Sequence, residues 1–474
     1  MFVPHLDLAL VVFVQAALLA AVIVLREPKL LIPAVVIGLP FEYLQTETVG
    51  MLGESGAGGA VRAMLNPGKA AMAATIVVAA WRARYEPRRL FPRSGVLLGV
   101  LVIVAISILG LGWADAQRPN NATLILLMYA AFVFAAPSLV EDRRDLERII
   151  AAFFLAAIGL SVLAVAQRVL GVFQWRAVLV QSDAYSYRAN ATFADPNNLA
   201  RFLAITMALA TAAILALGPR RLTVYLAVPA LLLSAPALIA TASRSGWLGM
   251  LMACFLVVLL APVARYTKLR ITAAAFGTLG ALLGILLLQG GSDAQRVRSL
   301  AHGVDAVLGV RQFLIRAGWE MFKDNPLFGV GTGGFQNALL LVYNWVMPYW
   351  AKTSLSHTSF ISILAEWGLL GVAAFGFFAA RAGAAAVRIY RATADPFQRM
   401  LGGWLIAAFV EILFQSQSEG RLFEEPYLWV LLALLAALEM GAAAREPAPG
   451  PEPAAADDAP AAPAAPPAPA GAPA

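Results

Sequence analysis

The chain has 474 residues, of which 60% are hydrophobic and 13% are charged, and its mean hydropathy is +0.75. A soluble domain carries about a quarter charged residues, so this composition excludes a soluble fold and is typical of a polytopic membrane protein. The formal net charge of +7 does not indicate nucleic-acid binding. Its arginines are spread among loops, as the positive-inside rule expects. Cys254 is the single cysteine, so no intramolecular disulfide can form.

Thirteen apolar runs predict helices along the chain. The first has no basic segment before it and no convincing cleavage site after it, so we expect a retained helix rather than a signal peptide. The second and third are short and interrupted or flanked by proline, which predicts broken, tilted or re-entrant helices. The runs are 8–25, 30–44, 69–81, 95–113, 122–140, 149–167, 198–217, 223–241, 247–263, 271–289, 357–380, 399–415 and 427–443. We therefore predict an all-α polytopic membrane protein with twelve or thirteen transmembrane helices.

Basic residues recur in every second loop. They cluster at 82–93, 143–148, 220–221, 265–270 and 381–391. The positive-inside rule assigns these loops to the cytoplasm. The alternating loops then face outward, namely 168–197, 241–246, 290–356 and 416–426. The orientation of the N-terminus stays open, because the number of helices before Arg82 is uncertain.

The loop at 290–356 is the longest connection between predicted spans. A structureless loop of that length is uncommon, so we expect it to hold helices of its own, at 306–322 and 337–346. The stretch 444–474 is rich in proline and alanine and predicts a disordered tail. Residues 1–443 are therefore expected to form one transmembrane domain that includes the long loop.

Polar motifs interrupt the outward loops. Arg244 lies between Ser243 and Ser245 at the outer end of a predicted helix. A guanidinium forks onto phosphate oxygens, and the two hydroxyls add donors, so this motif favours an anion site. The alternative is an arginine whose charged head reaches the membrane interface. The same two interpretations apply to Arg188 and Arg311.

Asp195, Pro196 and Asn197 precede an apolar run and predict a helix start, with Asp195 as the N-cap and proline in the first turn. A helix start also presents free N–H groups to an anion, so a structural and a binding role can coexist. Arg201 lies one turn inside that helix. We expect it to pair with a nearby carboxylate.

His357 begins an outward-facing helix end. It is a candidate base or hydrogen-bond donor, and the alternative is a polar residue at the water boundary. Glu366 lies about 13 Å further along a regular helix and about half a turn around it, so we do not expect the two to form a catalytic dyad. We expect Glu366 to pair with an arginine, because an unpaired carboxylate is costly there.

The glycine-rich stretch GVGTGG at 329–334 lacks the preceding strand and following lysine of a nucleotide loop, so we predict a tight turn at the membrane surface. Tyr343, Trp345, Tyr349 and Trp350 either stack on sugar rings or form an interfacial aromatic belt. The sequence shows no metal-ligand cluster, nucleophile elbow or paired-acid motif. We therefore expect no metal and no cofactor.

In these motifs the chain resembles the O-antigen ligase and polymerase superfamily of bacterial envelope glycan assembly. The resemblance rests on ATFADPN at 191–197, SRSGWL at 243–248, Arg311 followed by WEMFKDNPLFGVG at 319–331, and the block from His357 to Gly371. The last two blocks are the specific ones. The resemblance extends from about residue 185 to 375, and Thr358 stands where the family often has asparagine.

The resemblance implies a GT-C-like, metal-independent glycosyltransferase of the bacterial inner membrane, with its active site facing the periplasm. The implied donor is an undecaprenyl-pyrophosphate-linked glycan, and the acceptor is a glycan or a lipid A-core hydroxyl. A chain-length regulator of the same pathway is a further expected partner, besides the lipid bilayer. The catalytic candidates are His357, Arg244 and Arg311, and the substrate-binding candidates are Arg188, Asn197, Ser243, Ser245 and Glu366.

Two functions share these motifs. We favour a polymerase for a surface polysaccharide, and the alternative is the ligase that joins O-antigen to lipid A-core. A polysaccharide transporter or flippase is a third interpretation. It would need a polar path through both leaflets, whereas the charged motifs here lie on the outward side.

Overall fold

The computed structural model describes residues 26–42, 66–84, 94–114, 121–174, 188–270, 311–348, 358–420 and 422–443, with the single positions 277 and 284. All regular secondary structure in these ranges is helical, which confirms the all-α prediction. The predicted run at 8–25 and the tail at 444–474 lie outside the described residues, and the run at 271–289 does so almost entirely. Every other predicted run coincides with a helix.

We number the helices of the described ranges in chain order. They are α1 (Leu31–Gly38), α2 (Pro67–Ala83), α3 (Gly95–Leu109), α4 (Asn121–Ala135), α5 (Arg143–Leu170), α6 (Pro196–Leu217), α7 (Val228–Ala240), α8 (Arg244–Leu260), α9 (Arg311–Asp324), α10 (Phe335–Leu341), α11 (Ser359–Ala392), α12 (Pro396–Glu419) and α13 (Pro426–Ala443). The long loop therefore holds α9 and α10, close to the two predicted helices.

Within the described ranges, six helices are long and apolar enough to cross a membrane by length and composition: Gly95–Gly112, Arg143–Leu170, Pro196–Leu217, Thr223–Ala240, Ser359–Ala392 and Pro396–Glu419. Four shorter apolar helices accompany them, at Pro28–Gly38, Thr123–Leu139, Arg244–Leu260 and Pro426–Gly441. The predicted total of twelve or thirteen spans stays a prediction, because two of the runs lie outside the described residues.

One end of the helix bundle, which we call the basic end, is joined by ion pairs. They link Lys29 to Glu141 at 2.9 Å, Arg82 to Glu141 at 3.6 Å, Arg143 to Asp395 at 3.7 Å, Arg148 to Glu27 at 2.6 Å and Arg388 to Glu439 at 3.3 Å. Three of the predicted cytoplasmic loops thus meet on one side, as their basic composition predicts.

The opposite end, which we call the site end, contains the loops at 188–195 and 241–243 together with residues 416–420 and 422. The Ala189 N–H donates to the Ala240 carbonyl at 2.9 Å, which joins the first two loops. The Ser359 hydroxyl donates to the Ser416 carbonyl at 3.1 Å and joins the start of α11 to the last turn of α12. The loops that the charge pattern predicts to face outward therefore lie together.

Of the two runs that their prolines predict to be short, only the first is: α1 has 8 residues, whereas α2 has 17. At eight residues, α1 is about 12 Å long, too short to cross a hydrocarbon core of about 30 Å. The Asn66 side chain caps α2 and also donates to the Leu39 carbonyl at 3.0 Å, so the two broken ends are joined. Glu42 follows α1, and its carboxylate accepts from the Ala194 N–H at 2.6 Å. Glu42, just after α1, therefore supports the loop at 188–195 of the site end.

Candidate active site

Arg188 joins two loops of the site end. Its Nε donates to the Thr241 carbonyl at 2.9 Å and its Nη2 donates to the Asn197 side-chain oxygen at 2.7 Å. Asn197 lies in the first turn of α6, whose N-cap is Asp195 with Pro196 following it, as the sequence predicts. The structure thus brings together two predicted binding residues, Arg188 and Asn197.

A buried glutamine that the sequence did not single out shapes the Arg188 loop. The Gln167 side chain, in the last turn of α5, is fully buried. Its amide group donates to the Phe173 and Ala191 carbonyls and accepts from the Asn190 and Ala191 N–H groups. Ala191 has a φ of +47°, in the left-handed region that a non-glycine residue rarely adopts. The only sequence signal for Gln167 is a polar side chain closing an apolar run.

The start of α8 presents the Ser-Arg-Ser motif. Ser243 is the N-cap, and its hydroxyl accepts from the Gly246 N–H at 3.2 Å and lies 3.4 Å from the Ser245 hydroxyl. Ala242, just before it, has a φ of +50°. A left-handed conformation costs an L-residue about 1–2 kcal/mol, so the surrounding contacts must hold this turn. The strained turn places half-buried Arg244 as the first residue of the helix.

Arg311 is the first residue of α9 and is partly buried. Burial lowers the pKa of its guanidinium, while the negative charges of Glu419 and Asp195 oppose that shift. An arginine side chain stays protonated in proteins, so Arg311 remains a cation. Arg311 is therefore within electrostatic range of the N-cap of α6 and the end of α12.

Arg201 is 1% exposed and pairs with two carboxylates. Its Nη2 donates to Glu419 Oε2 at 2.8 Å, and its Nη1 donates to Glu425 through a short contact. The prediction that Arg201 partners a nearby carboxylate is confirmed. The sequence did not identify Glu419 or Glu425, although both belong to the predicted outward loop at 416–426. This buried pairing fixes α6 against the end of α12.

The first turns of α6 are therefore the meeting point of the predicted cations. Arg188 donates a hydrogen bond to Asn197. The negative charge of Asp195 acts on Arg311. The helix α8, which begins with Arg244, packs onto Ala200 through Gly246. A helix start adds N–H groups and a partial positive charge. This arrangement is chemically suited to a multiply charged anion.

A second cluster of motif residues, which we call the clasp, joins residues 326–334 to residues 365–370 of α11. The Val330 N–H donates to the Ala365 carbonyl at 2.8 Å, and the Leu369 N–H donates to the Pro326 carbonyl at 2.9 Å. Between them, Gly368 breaks the helical path with φ 62° and ψ −154°. The kink leaves backbone groups that the glycine-rich turn satisfies.

The prediction that Glu366 pairs with an arginine is wrong. Its carboxylate accepts instead from the backbone N–H groups of Gly333 at 2.9 Å and Phe335 at 3.3 Å. Two N–H donors compensate the cost of burying this carboxylate, so it needs no cation. Its role as a substrate ligand stays a prediction, whereas its hold on the glycine-rich turn is part of the structure.

Thr332 attaches the clasp to α3. Its N–H donates to the Gly110 carbonyl at 3.1 Å and its hydroxyl donates to the Ser107 carbonyl at 2.8 Å. The Trp367 indole donates to the same hydroxyl at 2.8 Å. The predicted tight turn at 329–334 is confirmed. Its N–H groups donate to acceptors within the protein.

The structure separates two of the aromatic residues whose role the sequence left open. Tyr343 is buried and donates to Asp324 at 2.7 Å; burial and this carboxylate raise the pKa of the phenol to about 12. It therefore has no free face for a sugar ring. Trp345 is 61% exposed. Tyr349 and Trp350 lie outside the described residues.

His357 also lies outside the described residues, so its catalytic role stays a prediction. The helix that follows it begins against the end of α12. The Phe360 N–H donates to the Gln417 side chain at 3.2 Å, and the Ser359 hydroxyl accepts from the Leu422 N–H at 3.2 Å. These contacts lie on the same segment as Glu419. Across the described ranges, no group of three or more His, Cys, Asp or Glu side chains forms a metal site.

Comparison with known proteins gives one family. Residues 229–376 match the family model described as O-antigen ligase. The matched stretch includes Arg244, Arg311, His357 and Glu366, whereas Arg188 precedes it. No curated protein matches the chain. The match supports a glycosyltransferase-like role in joining or polymerising surface glycans. Over residues 229–376 the chain is therefore similar to the O-antigen ligase family, and the helices of the described ranges are those of a multi-pass membrane protein.

Proposed function

We propose that the chain transfers a glycan from an undecaprenyl-pyrophosphate carrier to an acceptor hydroxyl at the site end. We place the chain in the bacterial inner membrane, with the basic end in the cytoplasm and the site end in the periplasm, because positively charged loops stay inside. The first candidate is a surface polysaccharide polymerase, whose acceptor is another carrier-linked glycan.

The observation that carries this proposal is the group of cations near the first turns of α6: Arg188 bonds to Asn197, the helix that begins with Arg244 packs onto Ala200, and Arg311 is within electrostatic range of Asp195. In the reaction, the bond between the anomeric carbon and the phosphate oxygen breaks, and the acceptor oxygen bonds to that carbon. Negative charge therefore accumulates on the pyrophosphate. Fixed cations aimed at that group stabilise the transition state more than the ground state.

The acceptor hydroxyl must lose its proton as the new bond forms. We assign that proton to His357, on the strength of the motif that it begins, with Arg244 and Arg311 on the leaving group. Asn197, Ser243 and Ser245 supply polar groups beside the cations. A single displacement would invert the anomeric configuration, and retention of configuration in the isolated product would contradict this step. The scheme uses no metal.

The second candidate is a ligase that passes the glycan to lipid A-core. The description of the matched family, O-antigen ligase, favours it. The two functions share the donor and the leaving group, and they differ in the acceptor. They can therefore be separated by the species that accumulates when transfer stops.

The test is the glycan profile of cells in which Arg244→Ala or His357→Ala replaces the wild type at equal membrane abundance. We expect loss of long or ligated glycan in both. Single repeats on the carrier or core identify a polymerase, whereas bare core with long carrier-linked chains identifies a ligase. Arg265→Ala is the matched control, because Arg265 is an exposed arginine beyond the other end of α8. An unchanged profile in both variants would overturn the enzymatic site and favour a transporter.

A further inference from the structure

The two helices of the long loop pack around a small core that also includes Ala365 of α11. On α9 the inward side chains are Leu314, Ala317 and Met321, and on α10 and the turn after it they are Phe335, Leu339, Tyr343 and Val346. This cluster is separate from the large core of the transmembrane helices. Each of the two helices therefore turns its remaining face away from the shared core.

The outward faces of the two helices differ in chemistry. The exposed face of α9 carries Arg316 and Lys323, with Trp319 between them. The segment of α10 and the turn after it carries no charged residue from position 335 to 346. Its exposed side chains are Leu340 at 53%, Leu341 at 63%, Val342 at 61% and Trp345 at 61%, together with the polar Asn344. A group of exposed apolar side chains so close together in the chain indicates an interaction site.

The length of α3 and the contacts at its two ends indicate how deep in the membrane the clasp lies. The apolar segment Gly95–Gly112 has 18 residues and is about 27 Å long, close to a hydrocarbon core of about 30 Å. At its basic end, the Ser94 hydroxyl donates to Glu439 at 2.6 Å. At its other end, Gly110 accepts from Thr332. The clasp therefore lies at the level where the hydrocarbon core ends.

The clasp, which directly precedes α10, also carries exposed apolar side chains that lie beside transmembrane helices. Phe328 of the clasp is 53% exposed and its ring lies 5.5 Å from the ring of Trp113, which follows α3. Leu327, 59% exposed, lies beside the exposed Leu369 and Leu370 of α11 through the bond from the Leu370 N–H. The helix α10 starts directly after the clasp.

We propose that α10 and the turn after it bind the surface of the lipid bilayer, with Leu340, Leu341, Val342 and Trp345 inserted at the boundary of headgroups and acyl chains. An uncharged face of leucine, valine and tryptophan is the chemistry of an interfacial helix, and tryptophan favours that boundary. Aliphatic side chains offer no stacking face to a sugar. The contact would hold the long loop flat on the membrane beside the site end.

The chain allows a direct test because Cys254 is its single cysteine. In a Cys254→Ala background, Leu341→Cys is labelled with an environment-sensitive nitrobenzoxadiazole fluorophore. The full chain is then reconstituted into phospholipid vesicles that contain lipids with a nitroxide on a shallow acyl carbon. We expect blue-shifted emission and quenching several times stronger than at Lys323→Cys, the matched control on α9, which is 51% exposed.

Leu340→Cys provides a second position if the first variant does not fold, as judged by its elution profile. Equal quenching at positions 341 and 323 would overturn the proposal, because both helices of the long loop would then lie equally near the lipid. Blue-shifted emission without quenching would also overturn it, since protein rather than lipid would cover the surface. The readout does not depend on glycan transfer, so it is independent of the proposed function.

Discussion

The buried guanidinium of Arg201 donates to the carboxylate of Glu419 at 2.8 Å, and this contact ties the start of α6 to the end of α12. Removing one partner of a buried pair leaves an uncompensated charge. We predict that Glu419→Gln lowers the free energy of unfolding by about 3 kcal/mol, the lower part of the range for a broken buried pair, since Glu425 still bonds Arg201. Unfolding in mixed micelles, followed by tryptophan fluorescence, measures this loss.

The matched control is Glu147→Gln on α5. Glu147 pairs with Arg143 at the same distance of 2.8 Å, but its side chain is 42% exposed. An exposed pair contributes about 0.3–0.5 kcal/mol when the residues are four apart in a helix. Equal losses for the two variants would show that burial of the Arg201 cluster adds nothing to stability.

The Gln167 amide is predicted to keep the Arg188 loop closed. Gln167→Leu removes the acceptor of the Asn190 and Ala191 N–H groups, and a lost buried partner costs about 1–3 kcal/mol. We expect hydrogen exchange in the peptide 188–197 to accelerate about tenfold or more, as a cost of that size implies. Gln398→Ala at the basic end is the control and should leave this peptide unchanged. Unaltered exchange in Gln167→Leu would show that the loop holds its shape without the amide.

The strained turn before Ser243 predicts opposite effects for two neighbouring alanines. Ala242 has a φ of +50°, so Ala242→Gly relieves a left-handed strain of about 1–2 kcal/mol and loses part of that gain to the flexibility of the unfolded chain. We expect a net stabilisation of about 0–1 kcal/mol. Ala240→Gly, in the last turn of α7, should destabilise by about 0.5–1 kcal/mol. The melting temperatures of the two variants, each compared with the wild type, test this prediction. Shifts of the same sign would contradict the strained conformation of Ala242.

The kink in α11 predicts a similar contrast between two glycines. Gly368 adopts a backbone conformation that only glycine visits readily, and an added Cβ would lie 2.6 Å from the Leu327 carbonyl. We expect Gly368→Ala to destabilise the protein by more than about 3 kcal/mol, because strain and overpacking add. Gly376, two turns on, has open space around its Cβ position. Gly376→Ala should be neutral or stabilising in the same thermal assay, and tolerance of both changes would argue against the clasp.

Hydropathy and helix-start patterns predicted the helices well, because both are local properties of the chain. Asp195 caps α6 and Arg201 finds carboxylates, as the sequence indicates. Glu366 was assigned to an arginine because an unpaired buried carboxylate is costly. The structure satisfies it with N–H groups from a glycine-rich turn, which hydropathy does not reveal.

The clasp was beyond local prediction for a related reason. Thr332 bonds Ser107 across 225 positions of sequence, so nothing near either residue signals the contact. Gln167 was overlooked because one amide at the end of an apolar run is equally compatible with a membrane boundary. In both cases the polar side chain bonds to backbone groups. Every residue has these groups, so the sequence does not indicate which of them will be the partner.

The pairing of Arg201 also has a consequence for biogenesis. Arg201 precedes Glu419 by 218 residues and Glu425 by 224. At ordinary synthesis rates, about 10–40 seconds separate the appearance of the cation from that of its partners. During that interval α6 must carry a guanidinium with neither of these carboxylates, which disfavours its stable insertion into lipid. The helix at the centre of the site should therefore settle into the membrane only after α12 has been made, and nascent chains that stop short of residue 419 should be substrates for membrane quality control.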